Sequence, residues 1–247
     1  MSRGKVVALV QARIDSTRMV EKVRLPLLGQ SILRWVVTRV GMSHLVDEVV
    51  VVSPDDRFRP LINDCLRPTD ERMFIDVPKL SDGRNDVLAR MAAAASARQA
   101  DTVVRICADR PLVDPELIDR TIACYSHSHS PGGYALNYSH DYNYVRGFGA
   151  EVLSNDTLQK LNSLAETDDA RHHVTLAAYN LLMFIKGTVG SESPYSCPSW
   201  DLYKSKRYDV DDVEGYEFVK SRVEQFGVGP EDFEDVVQKP GFAFMEV

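Results

Sequence analysis

Residues 5–24 have the sequence KVVALVQARIDSTRMVEKVR, in which an apolar run passes directly into a basic loop. A continuous apolar run of strand length, such as Val6–Val10, is typical of a strand that is buried on both faces of a parallel sheet. Similar runs follow at 48–52 and 102–107, with helical patterns between them. This alternation predicts a mostly parallel sheet that is covered by helices on both faces.

The other elements are predicted from local signals. Residues 72–77 indicate a weaker strand, and residues 126–149, rich in Gly, His, Tyr and Asn, indicate a long loop or a hairpin insertion. Helices are predicted at 32–40, at 85–100, from an Asp114 cap onward, at 167–182, and from Asp211/Asp212 to about Val223.

Length and composition limit the kinds of protein that this chain can be. It has 247 residues, of which 44% are hydrophobic and 26% charged, and its net charge is −7. These values exclude a disordered chain, a collagen-like fibre and a disulfide scaffold. Because no linker divides the chain, we expect one domain over 1–247 with an insertion at about 126–150. The negative net charge predicts that neither nucleic acid nor a membrane is a partner.

The cysteines and the first residues of the chain indicate a compartment. The four cysteines are at positions 65, 107, 124 and 197, and no two of them form a C-x-x-C pair that would suggest a zinc or redox site. Free thiols are typical of a reducing cytosol. The apolar run Val6–Val10 is too short for a signal peptide or a membrane span. We therefore expect a cytoplasmic protein.

The loop after the first strand is a candidate binding site, because ligands of parallel α/β sheets bind beyond the carboxyl ends of the strands. Neither of the usual glycine-rich phosphate loops is present in the sequence. Instead, four cations and two hydroxyl groups occur within twelve residues: Arg13, Ser16, Thr17, Arg18, Lys22 and Arg24. Arginine forks and a lysine point charge can clamp a polyphosphate. A solvated basic loop is the alternative.

Two acidic segments are candidate metal sites. Asp109 follows the predicted strand at 102–107, where a carboxylate can bind Mg²⁺ or simply serve as a turn residue. The alternating carboxylates Asp209 and Asp211 can complete such a site or cap the helix that follows. The residues alone leave these alternatives open.

The segment from Gln11 to Lys22 resembles the signature loop of the CMP-sugar synthetases, the family that includes the acylneuraminate and 3-deoxy-manno-octulosonate cytidylyltransferases. The resemblance spans roughly residues 5–225 and is nearest to the branch of the spore-coat polysaccharide biosynthesis protein F. The order and spacing of the matching segments make this resemblance specific. The further matching segments are Pro26–Gly29, Asp86–Leu88, Val104–Ile106, Asp109–Glu116, Gly147–Glu151, Arg171–Thr175, Arg207–Asp211 and Tyr216–Phe218.

The resemblance implies a single-domain, three-layer α/β/α nucleotidyltransferase of the GT-A/Rossmann-like class, with a mostly parallel sheet and a small dimerisation insertion. It implies a cytidylyltransferase that transfers CMP from CTP to an acceptor, releases pyrophosphate and uses Mg²⁺ as cofactor. The alternatives are a metal-dependent GT-A glycosyltransferase that uses Asp209 and Asp211, or a catalytically inactive nucleotide-binding relative. The implied residues are Gln11, Ala12, Arg13, Ser16, Arg18, Lys22 and Arg105 for the nucleotide, Asp109 and Asp211 for Mg²⁺, and Arg13, Lys22, Asp109 and Asp211 for catalysis.

The sequence departs from the family pattern near the predicted nucleotide site. Asp15, Glu21 and Ala108 stand where the family has glycine, and Met19-Val20 replaces its Leu-Pro pair. The two acidic residues place negative charge beside the predicted triphosphate site, which is expected to weaken CTP binding unless they are paired or turned away. The altered loop also suggests that the acceptor differs from the standard substrates of the family.

The acceptor site is predicted in the second half of the chain, at Arg146, Glu151, Arg171 and His173. Arginine forks match carboxylate and phosphate groups, so the predicted acceptor is anionic, either an acidic sugar or a small phosphate or phosphonate compound. The alternative is that Arg146 and Arg171 form ion pairs within the fold, with Glu151 or with Asp168 and Asp169.

The aromatic residues of the insertion predict a homodimer, because aromatic side chains are enriched at the cores of interfaces. The alternative is a monomer in which these side chains line the acceptor pocket. CTP and the anionic acceptor are the other predicted partners.

Overall fold

A central sheet organises the part of the chain that the structure, a computed structural model, describes: residues 4–13, 19–54, 56, 59–65, 73–76, 86–127, 134–136, 147–176, 186–187, 207–227 and 229–231. Its strands, together with those of a small hairpin, are β1 (Val6–Gln11), β2 (Pro26–Leu27), β3 (Gln30–Ser31), β4 (Glu48–Val52), β5 (Met73–Asp76), β6 (Thr102–Cys107), β7 (Tyr134–Leu136), β8 (Glu151–Ser154) and β9 (Lys186–Gly187).

The main sheet has the strand order β5-β4-β1-β6-β8-β7-β9 in the described residues, and β2 pairs with β3. The strands β5, β4, β1 and β6 are parallel to one another, whereas β8 is antiparallel to both of its neighbours. In the parallel register, Gln11 at the end of β1 lies beside Cys107 at the end of β6. The prediction of a mostly parallel sheet is therefore confirmed.

Helices cover both faces of this sheet. They are α1 (Ile32–Gly41), α2 (Arg59–Cys65), α3 (Val87–Ala97), α4 (Pro115–His127), α5 (Asn155–Leu164), α6 (Asp168–His173) and α7 (Val213–Phe226), and Lys22–Arg24 form a short 3₁₀ turn. No helix among these described segments combines the length and the apolar character needed to cross a bilayer.

The core is divided into two layers by the alternation of side chains along β1. Val6, Ala8 and Val10 pack in a cluster with side chains of α1 and α4. Val7 and Leu9 point to the opposite face and pack with side chains of α3 and α5. Because successive side chains of a strand point to opposite faces, one apolar run supplies both layers. This arrangement confirms the predicted three-layer α/β/α architecture.

Side-chain caps fix the starts of several helices. Asp114 Oδ1 accepts from the Leu117 N–H at 2.8 Å, and Asp212 Oδ1 accepts from the Gly215 N–H at 2.8 Å. These bonds satisfy amide groups that the first turn of a helix leaves without an intrahelical partner. The caps predicted at Asp114 and at Asp212 are therefore confirmed.

The predicted helix at 167–182 is interrupted at Val174, and residues 177–182 of this prediction lie outside the described part of the chain. Helix α6 ends at His173, and Val174 has φ 54 and ψ −64, which a right-handed helix does not allow. Val174 is nevertheless fully buried, and Thr175 Oγ1 donates to Glu151 Oε2 at 3.0 Å. Tertiary contacts thus set the end of this helix, where the local sequence contains neither glycine nor proline.

The predicted insertion at about 126–150 lies mostly outside the described residues. Its described part includes β7, which pairs with β8 on one side and with β9 on the other. The role of this insertion in dimerisation stays a prediction.

Candidate active site

A cavity lies at the carboxyl edge of the sheet, where β1 and β6 end side by side. Its volume is about 550 Å³, within the range of small-molecule sites. Its charged lining includes Arg13, Lys22, Arg105, Asp109, Glu151 and Asp211. The cavity therefore lies where parallel α/β sheets usually bind ligands, and both signs of charge surround it.

Lys22, Asp109 and Asp211 meet at one side of the cavity. Lys22 Nζ donates to Asp109 Oδ2 at 2.7 Å and to Asp211 Oδ1 at 3.1 Å. The two acidic loops are also joined through the Val210 N–H, which donates to the Asp109 carbonyl at 2.8 Å. Burial alone would lower the pKa of Lys22, but the attraction and hydrogen bonds of the two carboxylates outweigh it and raise that pKa above its ordinary value. Lys22 is therefore a charged ammonium at neutral pH.

Arg207 binds the same acidic segment from another side. Its Nε and Nη2 donate to the two carboxylate oxygens of Asp209 at 2.9 and 3.0 Å, and Nη2 also donates to Asp211 Oδ2 at 2.9 Å. Hydrogen bonding to Asp209, and then to Asp211, raises the pKa of Arg207 against the opposing effect of burial. One oxygen of Asp211 thus faces Arg207 while the other faces Lys22.

The floor of the cavity contains a buried ion pair. Arg105 on β6 and Glu151 on β8 are opposite each other in the antiparallel register. Arg105 Nη1 donates to Glu151 Oε2 at 2.7 Å, and Arg105 Nη2 donates to Gln11 Oε1 at 3.3 Å. Thr175 Oγ1 donates to the same oxygen of Glu151. Because Glu151 is only 2% exposed, removing one partner would leave an uncompensated buried charge.

His172 and His173 line the cavity at the end of α6. Their rings meet edge to face with centroids 5.0 Å apart. Burial, followed by the positive charge of Arg13 and further contributions from His173 and Arg105, lowers the pKa of His172 below its ordinary value. His172 is therefore a neutral imidazole at pH 7.

The structure brings most of the predicted site residues to this cavity. The ones that line it are Gln11, Arg13, Lys22, Arg105, Asp109, Glu151, His173 and Asp211. Ala12 lies behind it, with its side chain in the core and its N–H donating to the Val52 carbonyl at 3.1 Å. Asp15, Ser16, Arg18 and Arg146 lie outside the described residues. The functional roles of all these residues stay predictions at this point.

Arg171 requires a correction. Its Nε donates to Asp86 Oδ2 at 2.6 Å, and its Nη1 donates to the carbonyls of Asn162 and Ala165 at 3.2 and 3.0 Å. Its Nη2 donates to Asn162 Oδ1 at 2.9 Å. These contacts join α6 to the start of α3 and the end of α5. The structure thus shows an ion pair within the fold, as in the alternative, but its partner is Asp86 where the sequence suggested Glu151 or Asp168/Asp169. Arg171 is not part of the cavity lining, so these contacts argue against its predicted contact with the acceptor.

Glu21 shows how the chain accommodates one of its departures from the family pattern. Its carboxylate accepts from Arg24 Nη1 at 3.1 Å and is 45% exposed, so its charge is paired and partly in solvent. Its backbone has φ 54, in the left-handed region that favours glycine, the residue that the family has at this place. The acidic side chain is thus accommodated with its charge offset by Arg24.

Arg207 and Thr175 contact site residues although neither is among the predicted ones. Arg207 is spaced two and four residues from Asp209 and Asp211, and this alternation was a usable signal, because alternate side chains of an extended segment lie on one side. Thr175 belongs to the matching segment Arg171–Thr175, but its bond to Glu151 depends on the turn at Val174, which the sequence does not indicate.

Comparison with known proteins identifies the family. A family model described as Cytidylyltransferase matches residues 7–224. The chain belongs to this family. The predicted family and the predicted enzyme class, a CTP-dependent nucleotidyltransferase, are thereby confirmed.

Two curated relatives of this cytidylyltransferase differ in how much of the chain they match. The chain is 26% identical over 232 residues to the spore coat polysaccharide biosynthesis protein SpsF of Bacillus subtilis, which covers 92% of the chain and 89% of that protein. It is 29% identical over 119 residues to a 3-deoxy-manno-octulosonate cytidylyltransferase of Geobacter metallireducens. That second match covers 48% of the chain and spans less than half, 44%, of the relative.

A solved structure supports the fold of this cytidylyltransferase. The structure of a cytidylyltransferase from Leptospira borgpetersenii serovar Hardjo-bovis superposes with a TM-score of 0.78 at 22% identity, and the match covers 99% of both chains. At this level of identity the likeness concerns the fold alone.

Proposed function

We propose that this cytidylyltransferase transfers CMP from CTP to an anionic acceptor and releases pyrophosphate. The observation that carries the proposal is that Arg13 and Lys22 line the same cavity as the carboxylates Asp109 and Asp211. The oxygen of an acceptor hydroxyl attacks the α-phosphorus in line, and its proton passes to solvent. The new P–O bond forms as the bond between the α-phosphorus and the bridging oxygen of the β-phosphate breaks, and pyrophosphate leaves with the bonding electrons. Such a reaction requires positioning and charge neutralisation more than covalent help from the protein.

The basic residues are the proposed ligands of the nucleotide. Arg13 and Lys22 neutralise the charge that develops on the leaving pyrophosphate, and Ser16 and Arg18 of the same loop are proposed to assist them. Gln11 and Arg105, which are hydrogen-bonded to each other, contact the nucleotide from the floor of the cavity. Ala12 supports this contact from behind through its backbone.

The two carboxylates fit Mg²⁺ in their donor chemistry. Asp109 and Asp211 each direct one oxygen at the same positive group, the Lys22 ammonium, so the fold brings two hard oxygen donors to one cation. Among the described residues, no group of three or more His, Cys, Asp or Glu side chains is placed to hold a metal. A pair suffices, because Mg²⁺ often takes one or two carboxylates and completes its coordination with water and substrate phosphates. When bound, it neutralises charge at the α-phosphate.

Arg207 is the proposed positioning residue for this pair. By holding Asp211 Oδ2, it fixes the orientation in which Asp211 Oδ1 faces the cavity. Its two bonds to Asp209 occupy the neighbouring carboxylate. A metal-dependent glycosyltransferase would use Asp209 and Asp211 together but would not need a basic loop, so Arg13 and Lys22 in the same cavity favour the cytidylyltransferase.

The proposed acceptor is an acidic sugar, with a small phosphate or phosphonate compound as the second choice. The relatives named for 3-deoxy-manno-octulosonate and for a spore coat polysaccharide support a sugar. His173 lines the cavity and is the proposed acceptor contact among the described residues. Glu151, whose carboxylate accepts from Arg105, is proposed to act on the acceptor only through that arginine. Arg146 remains a proposed contact, whereas Arg171 is no longer included.

We also propose that the protein is a homodimer in which the insertion at about 126–150 takes part. A light-scattering mass of twice the chain mass of 27.7 kDa would support this assembly. A mass of one chain at micromolar concentration would exclude it.

Pyrophosphate release from CTP tests the proposed activity. The purified protein with Mg²⁺ is assayed against a panel of acidic sugars, neutral sugars and phosphonates, and UTP, ATP and GTP serve as matched nucleotide controls. We expect release that requires CTP and an anionic acceptor and that falls about 100–1,000-fold in Asp109→Asn and in Asp211→Asn. Release with a neutral sugar as the best acceptor would overturn the acceptor class, and near-normal turnover in both variants would overturn the roles of the carboxylates.

A further inference from the structure

We propose that Lys22 is an exchangeable cation: its ammonium holds the pair Asp109 and Asp211 while the protein is free of nucleotide, and moves to the triphosphate when CTP enters with Mg²⁺. This inference rests on the proposed function, because it concerns the same site. Lys22 thus has two anionic partners in succession, first the carboxylate pair and then the triphosphate of CTP.

The space between Asp109 and Asp211 suits either the Lys22 ammonium or a divalent metal ion. Lys22 Nζ lies 2.7 Å from Asp109 Oδ2 and 3.1 Å from Asp211 Oδ1, so it bridges the two carboxylates. The three side chains are 10%, 21% and 18% exposed, which leaves little water to screen their charges. Mg²⁺ requires oxygen ligands at about 2.0–2.1 Å, closer than the ammonium lies. Asp109 and Asp211 would hold a divalent ion at the place that the ammonium takes, so the ammonium would have to move away.

The fold allows the side chain of Lys22 to move while its surroundings stay in place. The 3₁₀ turn is held by the Arg24 N–H, which donates to the Glu21 carbonyl at 2.8 Å, and by the Leu25 N–H, which donates to the Lys22 carbonyl at 3.1 Å. The lysine stem has four rotatable carbons, so the ammonium can change position by side-chain rotation alone. Asp211 keeps its orientation during the exchange, because Arg207 holds its other oxygen.

Two consequences follow for binding. A metal ion alone must displace a buried ammonium that gains no new partner, so its affinity for the free protein is low. A metal ion that arrives with CTP brings phosphate oxygens to which Lys22 can transfer. Metal and nucleotide therefore strengthen each other's binding, and this coupling is reciprocal.

Titration with Mn²⁺, a paramagnetic substitute for Mg²⁺, tests the exchange without turnover. Free Mn²⁺ is measured by electron paramagnetic resonance in the full-length wild type, Lys22→Met and Lys22→Arg, with and without CTP and with no acceptor present. Lys5→Met is the matched control, because Lys5 Nζ forms a 2.7 Å ion pair with Glu48 near the opposite end of β1. Circular dichroism establishes that each variant is folded.

We expect opposite effects of Lys22→Met on the two ligands. Its affinity for Mn²⁺ alone should rise about tenfold, because a full positive charge leaves the carboxylate pair, and its affinity for CTP should fall about tenfold. Lys22→Arg keeps a cation at this place, so its affinity for Mn²⁺ alone should remain near that of the wild type. Lys5→Met should change neither affinity.

If the wild type and Lys22→Met bind Mn²⁺ alone with equal affinity, the exchange is overturned, whether or not the affinity for CTP changes. Equal Mn²⁺ affinities of Lys22→Met and Lys22→Arg would overturn it as well. A wild type that binds Mn²⁺ as expected but does not bind CTP would instead overturn the proposed function, so the two failures are distinguishable.

Discussion

Replacing Arg171 with methionine should destabilise the protein and leave substrate use unchanged. Methionine keeps an apolar stem in place while it removes the ion pair with Asp86 and the donors to Asn162 and Ala165. These partners belong to the cap of α3 and to the end of α5, which α6 therefore joins. The substitution separates a residue that stabilises the fold from one that binds the acceptor.

The magnitude follows from the exposure of the partners. A hydrogen bond to a charged group contributes about 1.5–3 kcal/mol, and we take the low end because Arg171 and Asp86 are 27% and 14% exposed. The carbonyls at the end of α5 lose a cation that complements the helix dipole, which adds about 1 kcal/mol. We expect a total loss of about 2–3 kcal/mol, or a fall in Tm of about 5–10 °C for a chain of this length.

Urea denaturation and thermal melting give the stability, and steady-state pyrophosphate release gives the KM of the acceptor. The control is Arg120→Met, because the ion pair of Arg120 with Glu116 is on the exposed surface of α4 and should contribute less than about 1 kcal/mol. An unchanged Tm in Arg171→Met, together with a raised acceptor KM, would refute this reasoning and restore Arg171 to the acceptor site.

Three further substitutions test local features. Gly147→Ala should lower the free energy of unfolding by more than about 2 kcal/mol, because Gly147 has φ 108 and an added Cβ would lie 2.5 Å from the Tyr208 carbonyl carbon. An unchanged midpoint of urea denaturation would contradict this contact. Glu21→Gly should be neutral or stabilise the protein by up to about 1 kcal/mol, because it relieves a left-handed backbone and loses only an exposed pair with Arg24; a clear loss in Tm would argue against strain at this turn. The pKa of His172 is lowered in the folded state, whereas in the unfolded chain it has the ordinary value of about 6.5. The unfolded chain therefore binds more protons as the pH falls through this value, and the free energy of unfolding decreases. His172→Gln should flatten this dependence, and a wild type whose stability rises on acidification from pH 7 to pH 5 would contradict the assignment.

The layout of the fold could be predicted from the sequence because local patterns specify it. The apolar runs that became β1, β4 and β6 are too continuous for one-sided strands, and such runs are typical of sheets covered on both faces. The same logic indicated the site, since the loops after β1 and β6 meet at one edge of a parallel sheet. Asp109 and Lys22 were thus expected at one site, and the structure brings them together.

The partners of these residues could not be predicted, because they depend on contacts between distant parts of the chain. Asp86 lies 85 residues from Arg171, and nothing in the local pattern of either residue indicates their ion pair. The contact of Lys22 with Asp211 joins residues 189 positions apart. The end of α6 at Val174 is similar, since a buried β-branched residue in a left-handed conformation has no sequence signature.

Phosphorus-31 NMR of the protein with CTP, Mg²⁺ and an acidic sugar, starting with 3-deoxy-manno-octulosonate, follows each phosphorus atom of CTP through the reaction. Transfer of CMP predicts that a phosphodiester resonance and pyrophosphate appear in equal amounts as the α-, β- and γ-resonances of CTP disappear, and that Asp211→Asn abolishes both products. Formation of CDP and inorganic phosphate instead, or unchanged CTP with every anionic acceptor of the panel, would contradict the proposed activity.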